Sequence, residues 1–551
     1  DPVVVETNII TTVDQNGETV TTEEPIDILE DVRLTMQGVE VSALPHASVS
    51  MRILNESGRI IFGHGILTEL DESNDIQLGE LPDHTQGRVI YIDSINSNAI
   101  FLPEGEYFLS VTHGPRFGLN SPSISVGTTE VAGSDPPQTV FGATPASLTF
   151  TLSEQVPLTG YWAADFDVRT DNDPSGLVST RDLVRFAHSE DLDVLFAADA
   201  RNPSEIEIEQ RIVALGIGSL DLQDLEKEID SFFDEVAVSR AIATYGRQQQ
   251  APQKLGRFSM FNLPKADEDP DFVVPAFEGD PAGFYDRVRE RNPNVVIQAT
   301  RPRKKSGLES GLFTAMAEMA GLPENTPIPG DDAIYAAGAA TGSSTKWVDF
   351  DLLQVLSGNS YDEYLLSRQD WFGLLNQGIF RPATGGTLPG EVKDLPLGTV
   401  RTYVKVGEES LRDNDLQSFW EATKAGNSFV TNGPIIEASI NGASFGESTT
   451  VSGTVALNLK VSAAQWIPVE EIRIVVDGTV QDVAITLNED AVVRFEGTIS
   501  LDVAPNQAHW VVIEAGTSLA NLLNQSDPGR QYSLGYPGHK PLAFTNPIFL
   551  R

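Results

Sequence analysis

The stretch Asp165–Asp182, DFDVRTDNDPSGLVSTRD, lies where the chain changes character. Short alternating segments precede it, and helical and strand-like patterns take turns after it. It holds five Asp, two Arg and no His, so it reads as an oxygen-rich metal loop in more than one way. In residues 171–182 the spacing is that of an EF-hand-type calcium loop. Asp171, Asp173, Ser175, the Leu177 carbonyl, Ser179 and Asp182 stand at the ligand positions, with Gly176 and Val178 at the turn and apolar positions. Calcium is a hard cation and needs no His. Pro174 is unusual inside such a loop. The same residues also read as a turn in which Ser179 or Thr180 caps the helix that follows. Both readings remain open at this level.

Upstream, VVVETNIITTV and DQNGETV form a β-branched arm over 1–25 with an Asn-Gly turn signal. Strand candidates such as ASVSMRILN, GRVIYIDSI and GEYFLSVTHG then alternate with period two, which predicts an antiparallel β-sandwich over 26–157. Downstream, helical LVSTRDLVRFAHSEDL, buried LDVLFAAD, helical GFYDRVRERN, buried NVVIQAT and helical SYDEYLLSRQDWFGLLNQG alternate, which predicts an α/β unit over 158–426. Strands return in SFVTNGPIIEASING, EEIRIVVDGTV and HWVVIEA, a second sandwich over 427–551.

Composition narrows the function. At ~100–200 residues per domain, 551 residues suit about three domains. A net charge of −42 argues against nucleic acid and anionic membranes, whose phosphates need basic patches. No run is long and apolar enough to span a membrane. The absence of Cys removes disulfides, thiol catalysis and zinc-thiolate sites. Only 11 of the 37 cations are Lys, and an acidic, Lys-poor surface suits an extracellular, periplasmic or cell-surface setting in salty water. A chain beginning at Asp1 with no leader reads as a processed product.

Ten segments in one order carry a resemblance. LPEGEYFLSVTHGPRF (Leu102–Phe117) is followed by GYWAADFDVRT, LDVLFAADARN, LGRFSMFNLP, VVIQATRPR, FDLLQVLSG, DWFGLLNQG, VRTYVKV, FVTNGP and WIPVEEIRIVVDG. From Leu102 to Gly478 the chain resembles the CehA/McbA-type branch of the PHP metallohydrolases. The resemblance implies a distorted (β/α)7 PHP-like barrel flanked by N- and C-terminal β-sandwich domains. It also implies a cluster of His, Asp and Glu holding two or three metals that activate water.

The ligand motifs depart from that pattern. Asp167-Val168-Arg169 stands for His-x-His, and Ala198-Asp199-Ala200-Arg201 for Thr-Asp-His-Asn. Arg257 and Arg301 each occupy a His position, and Gln354 a Glu position. Only His188 of the seven His falls in the barrel region, inside a predicted helix. The expectation is a vestigial site at Asp167, Arg169, Asp199, Arg201, Arg257, Arg301 and Gln354, with Arg257 or Arg301 in ion pairs with Asp167 or Asp199. An Arg-lined anion pocket is the competing reading.

The chain therefore reads as multidomain, α/β plus all-β, and as a pseudoenzyme with no catalytic residues and no cofactor other than structural calcium at the loop above. Its expected role is structural or in assembly, with self-association through the arm or contact with another surface protein. A divergent phosphoester or amide hydrolase is one alternative. A glycan- or surface-binding protein using Trp466 and Trp510 is another.

Overall fold

The computed structural model describes residues 7–13, 19–25, 33–36, 39–42, 46–69, 80–81, 85–86, 89–92, 99–130, 138–168, 186–199, 242–250, 256–263, 275, 281–305, 310–323, 325–327, 346–387, 397–407, 417–505, 507–524 and 527–551. The arm forms a hairpin. Strand Thr7–Val13 pairs antiparallel with Thr19–Pro25, Val13 opposite Thr19, as a two-stranded sheet of its own. A run of β-branched residues favours this extended pairing.

Two sheets then pack face to face. One orders Ala99–Leu102, Ala47–Asn55 and Ser147–Leu152, and the other has seven strands with Gly105–Thr112 near its middle. Strict alternation in Ala47–Asn55 sends Ala47, Val49, Met51 and Ile53 inward and Ser48, Ser50 and Arg52 outward. Val49, Ile53, Leu109, Val111 and Phe150 share the resulting core. Ser147–Leu152 departs from the antiparallel rule, running parallel to Ala47–Asn55.

The expected (β/α)7 PHP-like barrel is not what forms. Seven strands do lie side by side in chain order: Tyr161–Val168, Val194–Asp199, Ile242–Gln250, Arg257–Phe261, Val296–Thr300, Leu352–Ser357 and Ala383–Gly386. Arg257–Phe261 runs against both its neighbours, and the other ladders are parallel. This sheet curls into a half-barrel without closing. The free edge of Tyr161–Val168 is taken by Arg401–Lys405, antiparallel. The ladder then continues through Ser428–Thr431, Leu542–Thr545, His509–Gly516 and Glu471–Val476. The result is one fifteen-stranded sheet, and strand is the main element of the described chain. Hydrophobic period identifies strands. It does not say which strand takes a given edge, and here VRTYVKV fills the place where a barrel would close.

The same ladder crosses residues 426/427, so Ser428–Thr431, Leu542–Thr545, His509–Gly516 and Glu471–Val476 belong to the central sheet. The sheet of Ile435–Ile440, Thr454–Ser462 and Val493–Asp502 packs upon them, sharing Ile435, Leu457, Val461, Ile499, Val511 and Ile513 as core.

Two helices shape the half-barrel. Helix Gln417–Ala425 turns Phe419 and Trp420 inward, where they meet Trp162, Phe166, Phe196 and Phe261. Burying each such ring contributes about 1.5–3 kcal/mol. Helix Tyr361–Asn376 covers the outer face of Leu352–Ser357 with Tyr364, Trp371, Leu374 and Leu375. Asp362 and Glu363 in its first turn suit the positive end of the helix dipole.

Candidate functional site: a closed polar layer

Strand pleating sets a band of polar side chains across the half-barrel, beside the aromatic plug. Asp165 and Asp167 come from Tyr161–Val168, Ser259 from Arg257–Phe261, Gln298 and Thr300 from Val296–Thr300, Gln354 from Leu352–Ser357 and Thr384 from Ala383–Gly386. Each is buried. Gly386 lets the last of these strands approach the first, for a Cβ there would come within 2.6 Å of the Asp167 Cβ and backbone N.

The members of the band hydrogen-bond one another. Gln354 Nε2 donates to Asp167 Oδ2 at 3.0 Å, while Gln354 Oε1 accepts the Arg301 backbone N–H at 3.0 Å. Thr384 Oγ1 donates to Gln298 Oε1 at 2.7 Å, and Gln298 Nε2 donates to Thr300 Oγ1 at 3.3 Å. The Ser259 and Thr300 hydroxyls meet at 2.7 Å. Asp165 accepts four donors: the backbone N–H groups of Asp167, Thr387 and Gly398, and the Thr387 hydroxyl. Burial pushes the Asp165 carboxyl up to about 6, and these hydrogen bonds pull it the other way.

Of the residues singled out in the sequence, the fold brings Asp167 and Gln354 together. Arg301 is directed elsewhere than expected. Its guanidinium forms a two-point pair with Glu363, Nε to Oε2 at 3.0 Å and Nη2 to Oε1 at 2.6 Å. That carboxylate comes from a helix first turn, which the ligand motifs did not mark. Arg257 opens its strand opposite Thr300, and Asp199 ends its strand opposite Arg247. Arg169, Arg201 and the calcium-loop residues Asp171, Asp173, Ser175, Leu177, Ser179 and Asp182 lie outside the described residues, as does the side chain of Asp199. Among the described residues no group of three or more His, Asp or Glu is placed to hold a metal ion.

No protein-family model matches this chain, and no curated protein matches it.

A second polar centre was not visible in the sequence. Glu190, just after the helical turn that carries His188, is fully buried between three distant parts of the chain. His64 meets it from strand Gly63–Glu69. Arg401 donates to it at 3.1 Å from the central sheet, and the Tyr536 hydroxyl does so at 3.1 Å from the C-terminal region. Arg401 also holds the Glu190 and Gly398 carbonyl oxygens. Next to this hub, Arg116 bridges Asp191 and Glu154. Gly114, at φ 101°, passes so close that a Cβ would lie 2.6 Å from the Glu190 carbonyl oxygen. His188 is a packing residue, edge-on to Phe62 at 6.0 Å, and burial pushes its imidazole down to about 3, helped by His113. The cue in the sequence was HSED, four polar residues ending an amphipathic helix; their partners lie too far along the chain to be inferred.

Trp466 and Trp510 are both core residues. The Trp466 indole N–H donates to the Phe117 carbonyl and the ring packs against Tyr532 and Tyr536. Trp510 donates to Asn376 Oδ1 and lies against Phe372.

Proposed function

We propose that this chain is a non-catalytic structural protein of the cell exterior that associates with further copies of itself through its N-terminal arm. The observation that carries the non-catalytic reading is the Gln354–Asp167 hydrogen bond. A carboxylate pair there would call for a metal or a shared proton. An amide facing a carboxylate calls for neither, and the Ser, Thr and Gln groups around it are poor ligands for transition metals. The arm supports the assembly reading, since its strands pair with each other and with no other described strand. The Cys-free, acidic and Lys-poor composition supports the exterior setting.

Elemental analysis of the purified protein, with phosphoester and amide assays, tests the first part. The expected result is no stoichiometric transition metal and no turnover above the blank. Stoichiometric zinc, manganese or iron together with hydrolysis would overturn it in favour of a divergent hydrolase. Mass in solution with and without residues 1–25 tests the second part: the shortened chain is expected to be a monomer under conditions where the full chain is not.

A further inference from the structure

We infer that the arm's acceptor is the edge strand Thr139–Thr144 of a second copy, which strand Thr7–Val13 extends by β-augmentation. This inference rests on the assembly reading above and names the surface that reading leaves open.

The acceptor has the features of an unguarded edge. Thr139–Thr144 pairs with Ser123–Glu130 on one side and ends the seven-stranded sheet, with no ladder on its other side among the described strands. Protected edges carry Lys, Pro or inward charges. The sequence TVFGAT has none of these. Thr139, Val140 and Thr144 are exposed, Val140 at 56%. Gly142 borders open space, since a Cβ placed there would meet nothing within 4 Å.

The donor has matching properties. A two-stranded hairpin alone is marginal in water, and a third strand removes that weakness. Thr7–Val13 reads TNIITTV, six of seven residues β-branched and none charged. Its hairpin partner TVTTEEP carries two Glu, which leaves Thr7–Val13 as the uncharged strand of the hairpin. In a chain of net charge −42, copies repel one another over most of their surface. A neutral strand meeting a neutral edge makes contact where that repulsion is least. Seven donor residues match an acceptor of six. Within one copy the hairpin and this edge stand in separate sheets, each unpaired by the other. The occupant is therefore the arm of another copy. A donor on one surface and an acceptor on another make a heterologous contact, which builds rings or open filaments.

The lack of native Cys makes the test direct. Ile9→Cys or Thr11→Cys in one preparation and Val140→Cys in another are mixed under mild oxidation. The expected product is a disulfide-linked species of twice the chain mass, formed from a mixture and not from the Val140→Cys preparation alone. In parallel, Val140→Lys, at an exposed position, is expected to reduce the assembled full chain to the monomer mass while its circular dichroism spectrum matches that of the parent. If deletion of 1–25 leaves the mass unchanged, or the full chain is a monomer throughout, both the assembly reading and this acceptor fail. If the deletion gives a monomer but Val140→Lys still assembles, the acceptor alone is overturned. Capture of the arm by Phe101→Cys at Ala99–Leu102, or by Thr149→Cys at Ser147–Leu152, the two uncharged edge strands of the facing three-stranded sheet, has the same meaning.

Discussion

Glutamine and glutamate at position 354 would fill the same space, yet they set opposite electrostatics. The amide gives Asp167 a donor, and its oxygen takes the Arg301 backbone N–H. In Gln354→Glu a second carboxylate would face Asp167 Oδ2 across 3.0 Å in a buried layer. We predict a loss of about 3 kcal/mol at neutral pH, the usual scale for an uncompensated buried charge. Part of that loss returns on acidification, as the two carboxylates come to share a proton. Thermal melting of the variant from pH 5 to 8 checks this, and an unchanged midpoint at neutral pH would show the layer to be solvated. Asp167 and Gln354 stand out in the sequence and meet in the fold, although the partner expected for Asp167 was an Arg. Arg301 was marked as well, but its partner Glu363 lies 62 residues further along on a helix, and nothing local to either residue announces the pair.

Among the elements, the junction between the N-terminal sheets and the central sheet depends on close backbone approach. The turn after strand Gly105–Thr112 fits against Glu190 because Gly114 has no side chain and takes a left-handed backbone. Gly114→Ala is predicted to cost about 1–3 kcal/mol through strain and displacement of the Glu190 backbone. Limited proteolysis should then separate the N-terminal sheets from the rest of the chain faster than in the parent protein. Equal digestion rates would refute the role given to this contact. The individual strands and helices were largely legible. NVVIQAT and DLLQVLS are short, mainly apolar runs and SYDEYLLSRQDWFGLLNQG is a longer helix-forming segment, and they form Val296–Thr300, Leu352–Ser357 and Tyr361–Asn376. The glycine contact and the Glu190 hub were not legible, for Arg401 and Tyr536 stand 211 and 346 residues from Glu190.

For the molecule as a whole, buried titratable groups set the response to acid. Burial pushes His188 down to about 3 and His539 down to about 4, from an ordinary 6.5. Between about pH 4 and 6 the unfolded chain binds these two protons and the folded chain does not, so both groups make stability fall as pH falls. Asp165 acts in the opposite sense. Its carboxyl, pushed up from 3.8 to about 6, holds a proton in the folded state that the unfolded chain releases, so its contribution grows as pH falls through the same window. Asp193, pushed up from 3.8 to about 7 by burial, acts with Asp165, so the two carboxyls offset the two histidines, each group contributing about 1.4 kcal/mol per pH unit to the slope. His539→Leu is predicted to flatten the acid slope by about that amount, and Asp165→Asn to steepen it. Urea unfolding midpoints at pH 4, 5 and 6 read both changes. Parallel slopes in His539→Leu and the parent would mean that His539 is protonated in the folded protein.

The sequence by itself determined many of the described strand and helix segments, the acidic, Cys-free character and the residues that stand at 167, 301 and 354. All of these are local properties: a side-chain period over a few residues, a count, an identity at one place. Tertiary structure alone decided that the half-barrel stays open, that VRTYVKV leads its sheet into the C-terminal strands, and that Gln354, Glu363 and Glu190 find the partners they have. The physical reason is that a strand edge, a buried carboxylate and an amide can each be satisfied by many donors of the same chemistry. Which one serves is settled only when the whole chain packs.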